Sequence, residues 1–587
     1  MAEIFRPFFF MKIFFKILLV LIVLTVISLL SADYFIAKII DKKVRAIQNE
    51  VKNNINFDYQ ALSFSFLQKR IRLKGFQLET LSDSLDYQDK VVLQVKKLLL
   101  EFEAFDEVLL EGKLHLKEVI LKNPTINYGL AKKLNNKNGQ SDSLNIVSAD
   151  LPAEVEEPSA EKMIKSILID EFRVDKGKAH IFHISNESEY LLDIKSINIK
   201  SKALEIDMDA EAIEKIAKSE VFALEMMGIS SDEIKNHDLD VGKLSYNAKT
   251  NALEISDIHL RNKEKAKTFS AKQKYRSVWL DIQIDKLGMD VNPYHIYNKG
   301  LIYLKRIELD GVHAEIYNDV TLALKPDHQP MPPRMIREIP FPFKLDNIKI
   351  ENSKLKYLHK DHANKPGLLT FNDIKINIAN FTNVDYAIDQ DPLMKIDIRA
   401  KLWGKGIFTN SIIIDLANPN DVVYSKGKLT KMSLKEAEKM LKPLYGVQIS
   451  SGTLSLLTFD LVMNEDIGKG TMHFDYSDLK VDIKKGSKET SQEQDELKSN
   501  KLLNFIANEA VVNSNMPDSK HYIESGIMIY DRTKNKPIFD LFWNSIQVGI
   551  MDFTINDILY QSKSNYFKKE RKKDKKEAKD QKKRDKK

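Results

Sequence analysis

Alternation with a period of two runs through most of this 587-residue chain, and it leaves few folds open. It shows in Leu114-His-Leu116, Ile197-Asn-Ile199, Ile374-Lys-Ile376-Asn-Ile378, Ile396-Asp-Ile398 and Leu454-Ser-Leu456. Successive strand residues point to opposite faces, so each run puts aliphatic side chains on one face and charged or amide side chains on the other. That is the mark of a one-sided antiparallel sheet. Such a sheet has to cover its apolar face with a second sheet, with helices, or with something that is not protein. On a coarse reading the chain holds about 20 to 25 strands and only two or three helices, so helices alone do not suffice. Ordinary β-sandwiches and a long curved sheet with an uncovered apolar face remain as the two solutions.

A looser unit recurs within the alternation: an apolar residue, two others, then apolar-x-apolar. It appears as Leu116/Val119/Leu121, Ile194/Ile197/Ile199, Ile255/Ile258/Leu260, Leu304/Ile307/Leu309, Leu345/Ile348/Ile350 and Phe371/Ile374/Ile376. The intervals between copies are irregular, which excludes a fixed-period solenoid. Helices are expected over 207–227, ended by Gly228, and over 433–442, where Ser433 and Glu436 have capping-box spacing and Pro443 supplies a stop. A third is expected over 502–512. Residues 132–161 and 486–500 are polar and lack the apolar surface to fold alone, so they read as linkers.

Residues 17–32 (ILLVLIVLTVISLLSA) are uncharged and apolar, and Ile13, Phe14 and Phe15 extend them. With Lys16 snorkelling to the interface, the stretch is long enough to span about 30 Å of hydrocarbon. No A-x-A site follows it, so an uncleaved anchor is expected rather than a signal peptide. Basic residues flank both ends (Arg6, Lys12 and Lys16; Lys38, Lys42, Lys43 and Arg45), so charge does not orient the span. The chain's net charge of +6 sits at the other end. Residues 568–587 hold 13 Lys/Arg against 5 Asp/Glu, which leaves 77 against 79 for everything before them. A near-neutral body argues against nucleic acid as a partner.

Motifs that carry chemistry are missing from the sequence. Cysteine is absent, which excludes disulfides, thiolate nucleophiles and thiolate metal sites. There is no phosphate-cradling loop, dinucleotide fingerprint, H-E-x-x-H or G-x-S-x-G. His359-Lys-Asp-His362 is the best metal candidate, and its polar, Pro-Gly-containing surroundings read as a hydrated turn. No enzyme activity, metal or cofactor is expected.

The signature Leu114-x-Leu116-x-x-Val119-Ile-Leu121-Lys-Asn-Pro124-Thr-Ile126-Asn-Tyr128 recurs as residues 304–316 and 345–357. Gly427-Lys-Leu429 and Ile449-Ser-Ser-Gly452-Thr-Leu454-Ser-Leu456 follow near the end. Together with the single-span anchor, this pattern over roughly 14–483 resembles the AsmA-like superfamily of diderm bacterial envelope proteins, relatives of TamB and of bridge-like lipid transfer proteins. The resemblance implies a mainly β protein: an N-terminal transmembrane helix, then a long curved antiparallel sheet forming an apolar, taco-like groove with a few peripheral helices. It also implies an inner-membrane anchor, a periplasmic body and phospholipid as cargo. The acidic linker and the lysine-rich tail have no counterpart in that pattern.

The expected division is a cytoplasmic stretch 1–12, an anchor 13–32, a helix and first groove segment 33–131, a linker 132–161 and a main groove body 162–485. A linker 486–500, a C-terminal segment 501–567 and a disordered basic tail 568–587 complete it. Candidate groove-lining residues are Leu114, Leu116, Ile197, Ile199, Ile374, Ile376, Ile378, Ile396, Ile398, Leu454 and Leu456. Phe539, Phe542, Trp543, Ile546, Ile550 and Phe553 fall on one side of a helix over 538–556, with a strand over 546–555 as the rival, and are the candidate contacts with a membrane, inner or outer, burial against the groove's end being the other reading of the same stripe. The expected partners are phospholipids, membrane and an envelope protein. The rival expectation is an assembly factor with closed β-sandwiches that docks envelope proteins by strand addition and carries no lipid.

Overall fold

Many residues of the apolar ladders find an apolar partner directly across from them in a neighbouring strand, and the register of that pairing organises the molecule. In the computed structural model, residues 55–65, 68–80, 90–104, 113–130, 166–184, 186–207, 221–292, 300–361, 365–483, 511–520 and 522–554 are described, with a few isolated positions (37, 38, 41, 42, 45 and 219). The expected anchor, both linkers, the basic tail and nearly all of the expected 502–512 helix lie outside them. Twenty strands belong to one large mixed sheet, and helices are few. Among the described residues, no helix is long and apolar enough to cross a membrane.

The chain divides into two units, Met1–Lys263 with Ile284–Tyr303 and Glu264–Gln283 with Leu304–Lys587. The first holds β1 (Ile55–Asp58), β2 (Ala61–Ser65), β3 (Arg70–Thr80), β4 (Lys90–Ala104), β5 (Lys113–Leu130), β6 (Ser166–His183), β7 (Asn186–Asp207), β8 (Val221–Ser231), β9 (His237–Asn247) and β10 (Ala252–Asn262). β1 and β2 share one edge of β3, and β3 through β10 then pair in chain order. All these pairs are antiparallel except β5–β6, which is parallel, so the expectation of a purely antiparallel sheet is corrected to a mixed one. Parallel neighbours cannot be joined by a tight hairpin. The connection here is the long stretch 131–165.

β11 (Val278–Asp290) has residues in both units. The second unit continues with β12 (Ile302–Asp319), β13 (Phe343–Lys360), β14 (Gly367–Thr382), β15 (Leu393–Leu402), β16 (Gly406–Asp415), β17 (Val423–Ser433), β18 (Val447–Met463), β19 (Ile467–Ile483) and β20 (Gly526–Asp531). β13 through β20 pair antiparallel in chain order. Asn352 bonds Asp310 and Lys356 bonds Glu315, with both numbers rising together, so β12 and β13 run in the same direction. Residues 320–342 form their crossover. It is latched at two places. Arg532 bonds Glu465 and the Gln329 carbonyl, and Asp421, fully buried, takes Arg334 at 2.9 Å and Arg337 at 2.5 Å.

The recurring apolar-x-x-apolar spacing has a backbone cause. Asn123, Asp257, Asn352 and Asp373 all have left-handed φ between 48° and 55°, a region that Asn and Asp tolerate better than most residues. Register shifts lie beside two of them, between Ile350 and Ser353 and between Asn372 and Lys375. A β-bulge uses one extra residue, so two polar positions instead of one separate apolar residues that stay on the same face.

Two helix expectations are revised. The expected 207–227 helix does not form over its described part: Asp207 ends β7 and Val221–Ser231 is β8. Across from β8 lie Ile197 and Ile199 on one side and Leu244 and Tyr246 on the other, and this pairing overrides the helical propensity of the segment. The expected 433–442 helix is a 3-10 turn, Leu434–Ala437, capped by Ser433 Oγ accepting from the Lys435 N–H at 3.3 Å, followed by an α-helix, Glu438–Tyr445. Pro443 lies inside that helix, and left-handed Gly446 ends it.

Candidate functional site

In the first unit, four strands stack apolar residues rung by rung. Ile199–Leu224–Tyr246–Leu253, Ile197–Met226–Leu244–Ile255 and Ile194–Ile229–Val241–Ile258 are directly paired across β7–β10. Between the last two rungs every strand spends two residues instead of one. Gly228 and Asp257, both at positive φ, mark that slip. Asn198, Glu225, Ser245 and Glu254 form a polar rung between the first two. On β8, β9 and β10 the apolar residues of these rungs are only half-buried.

The second unit repeats the arrangement. Ile348–Ile378–Ile396–Ile412 and Ile350–Ile376–Ile398 are paired across β13–β16, and all seven side chains are half-buried. The second rung continues as Asn410, Gly427 and Phe459 on β16, β17 and β18. Ile350, Ile376, Ile398, Asn410, Gly427 and Phe459 form the floor of an open cavity of about 650 Å³. Residues that flank the floor are mostly charged, among them Lys375, Arg399, Lys426 and Lys428, with Glu351 and Asp397 as the acids. They lie at alternate strand positions, so the charges belong to the polar phase of the ladder.

Beyond Phe459 the same face is covered by the helix Ile538–Thr554. Its small residues allow close approach. Ser545 Oγ would lie 2.4 Å from a β-carbon at Gly468, and a β-carbon at Gly549 would meet Met528 and Met472 at 2.7 and 2.8 Å. Phe542 meets Phe459 edge-on at 5.7 Å, and Phe553 meets Phe474 edge-on at 5.9 Å. Tyr476, fully buried, donates its hydroxyl to the Phe553 carbonyl at 3.2 Å, and burial pushes that hydroxyl well above the ordinary phenol value. The helix therefore packs on Phe459, the last floor residue of the cavity, and covers the face beyond it.

Of the lining residues expected from sequence, Ile376 and Ile398 lie in the cavity floor, and Ile378 and Ile396 form the adjoining rung. Ile199 is half-buried and Ile197 buried in the first unit's ladder; Ile374 is buried across from Ser353. Leu114 and Leu116 are 0% exposed, between β4 and β6 where runs such as Leu98–Leu100 and Val119–Leu121 are buried on consecutive positions, so they belong to sealed core. Leu454 is buried opposite Met432 and Tyr476. A register shift separates it from Leu456, which lies across from Thr430 and Asp475, while Leu457 takes the apolar phase opposite Leu429 and Phe474. Ile350, Asn410, Gly427 and Phe459 were not among the expected lining residues; Ile350 belongs to the recurring apolar unit and Gly427 to the Gly427-Lys-Leu429 motif, but only register brings the four to the rung of Ile376.

The C-terminal segment is a helix and not the rival strand. Its aromatic stripe is divided: Ile546 and Phe553 are buried, Phe542, Trp543 and Ile550 are half-buried, and Phe539 is 49% exposed. Among the described residues, no group of His, Asp and Glu is placed to hold a metal ion. His359 of the expected hydrated turn instead lies in β13, half-buried beside Tyr357, whose hydroxyl lies 3.3 Å from its Nδ1, and His362 lies outside the described residues. No family model matches the chain, and no curated protein matches it.

Proposed function

We propose that this chain is a membrane-anchored, periplasmic lipid-binding protein that holds phospholipid acyl chains along a curved, apolar sheet face and so contributes to lipid transfer across the envelope. One observation carries the reading: two isoleucine rungs in register across β13–β16 are only half-buried and one of them floors an open cavity, with charged residues confined to alternate positions. A patch of this kind on a soluble surface marks an interaction site. Acyl chains fit it without any hydrogen-bonding demand, and each CH₂ withdrawn from water contributes about 0.8 kcal/mol. Headgroups stay in water beside the charged flanks. The mechanism is passive and needs no catalytic group.

The apolar stretch over 13–32 supports an inner-membrane anchor, and the exposed Phe539 with half-buried Phe542 and Trp543 supports a second contact with a membrane at the end of the cavity. The lysine-rich tail, attracted to anionic headgroups, is the electrostatic part of that contact. The test is gentle purification followed by mass spectrometry of bound small molecules. Stoichiometric phospholipid is the expected result. A monodisperse, lipid-free body overturns the reading and leaves the strand-addition assembly factor ahead.

A further inference from the structure

The floor of the second unit's cavity is apolar except at one point. Asn410 lies between Ile398 and Gly427 on the second rung, and Ser425 lies beside Ile412 on the first. Ser425 Oγ donates to Asn410 Oδ1 at 3.0 Å, and the two residues are 1% and 5% exposed. That bond uses the amide oxygen. The Asn410 Nδ2 group, which carries two N–H donors, has no partner among the described residues. Fully buried amide donors are normally satisfied, and this one is not fully buried: Nδ2 keeps contact with the solvent of the cavity, where a water or a ligand oxygen can meet it. This one lines a cavity whose other floor groups, Ile350, Ile376, Ile398, Gly427 and Phe459, offer it no acceptor side chain.

The position is as informative as the chemistry. Asn410 stands where the open isoleucine rungs end and the covered part of the face begins, one strand from Gly427 and two from the Phe459–Phe542 contact. A hydrocarbon chain laid along the floor meets no polar group until it reaches this residue. We propose that Asn410, held by Ser425, is a specificity-determining residue that donates a hydrogen bond to the carbonyl oxygen of a bound acyl lipid and so fixes where the chain begins on the floor. This rests on the acyl-binding reading above and adds to it an acceptor requirement. The oxygen belongs to the ester of a glycerophospholipid or to the carboxylate of a free fatty acid, and both present the same acceptor.

The experiment incubates the full chain with vesicles of diacyl phosphatidylglycerol, with vesicles of the dialkyl ether analogue that lacks both carbonyls, or with palmitate. Bound lipid is then counted by native mass spectrometry. Wild type should take up the ester lipid about fivefold more readily than the ether, the scale of one net hydrogen bond. Asn410→Leu should erase that preference while leaving ether uptake intact. An Asn410-dependent uptake of palmitate in place of the diester assigns the carbonyl to a free fatty acid. Equal uptake of ester and ether by wild type overturns the inference and leaves acyl binding standing. Uptake of none of the three overturns the acyl-binding reading itself. If Asn410→Leu fails to fold, the wild-type ratio still decides, and Asn410→Ser, with one donor in place of two and a shorter reach, should lower it.

Discussion

The ring of Phe459 lies against Gly427 so closely that a β-carbon at position 427 would sit 2.1 Å from it. Both residues belong to the cavity floor, and Phe459 also touches Phe542 of the helix Ile538–Thr554. Gly427→Val should therefore push Phe459 off its seat and disturb the helix behind it. Overpacking of this kind costs about 1–3 kcal/mol. Thermal unfolding should show the loss, and Phe459→Ala on the same chain should restore part of it. Simple additivity of the two substitutions would refute the steric link.

Substitution with Asp separates open floor from sealed core. Ile376 is half-buried at the cavity, so Ile376→Asp keeps its carboxylate hydrated, and a folded, lipid-poor protein is expected. Leu116, at 0% exposure, has no such outlet, and Leu116→Asp should cost several kcal/mol and abolish soluble expression. Circular dichroism and yield, with lipid counted on whatever folds, check both. Aggregation of both variants would argue that the floor is closed.

Acid should loosen the region around His359. Burial, the largest influence, holds its imidazole pKa below the ordinary value despite the neighbouring Asp361. A folded-state pKa below the unfolded one means that the unfolded chain binds the proton more readily. The resulting stability is complete above the ordinary imidazole value of about 6.5 and is lost as pH falls through the depressed value. His359→Phe should flatten that part of the stability–pH curve in urea unfolding series. An unchanged curve would rule out His359 as its source.

Asp421 accepts from Arg337 at Oδ1 and forms an ion pair with Arg334 at Oδ2 while fully buried, at a left-handed φ of 52° that asparagine tolerates. Asp421→Asn thus removes charge without backbone strain. The two arginines are partly exposed, so the loss should be about 1–3 kcal/mol, below that of breaking a fully buried pair. Faster limited proteolysis within 320–342 is the expected readout, and unchanged cleavage there would show that the Arg532–Glu465 latch suffices alone.

Strand content was legible because alternation is a local signal: Ile374 to Ile378 and Ile396 to Ile398 read correctly as strands with one apolar phase. The helix at 538–554 was legible for the same reason. Its burial against the sheet was one of the two readings of its aromatic stripe; the close approach was not legible, because Gly549 and Ser545 make it and carry no hydrophobic signal of their own. The 221–227 segment misled because its residues favour a helix in isolation, whereas its strand state is imposed by Leu244 and Ile197 from other strands. Leu454 and Leu456 misled through a single register shift, which moves one of a perfect-looking pair to the other phase. Asn410 carries no motif at all. Its meaning comes from Ile398 and Gly427 across the ladder, and such pairings are invisible until register is known.

The left-handed residues in the strands have a consequence for how such a protein changes over generations. Because several strands absorb a phase slip internally, as at Asp257 and Asp373, a hairpin carrying its own slip can be duplicated or lost with the chemistry of the remaining rungs undisturbed. Two strands add about 10 Å of ladder at the usual interstrand spacing. The extent of the apolar track is then a matter of copy number, set by counting hairpins and free to vary without redesign of any one of them.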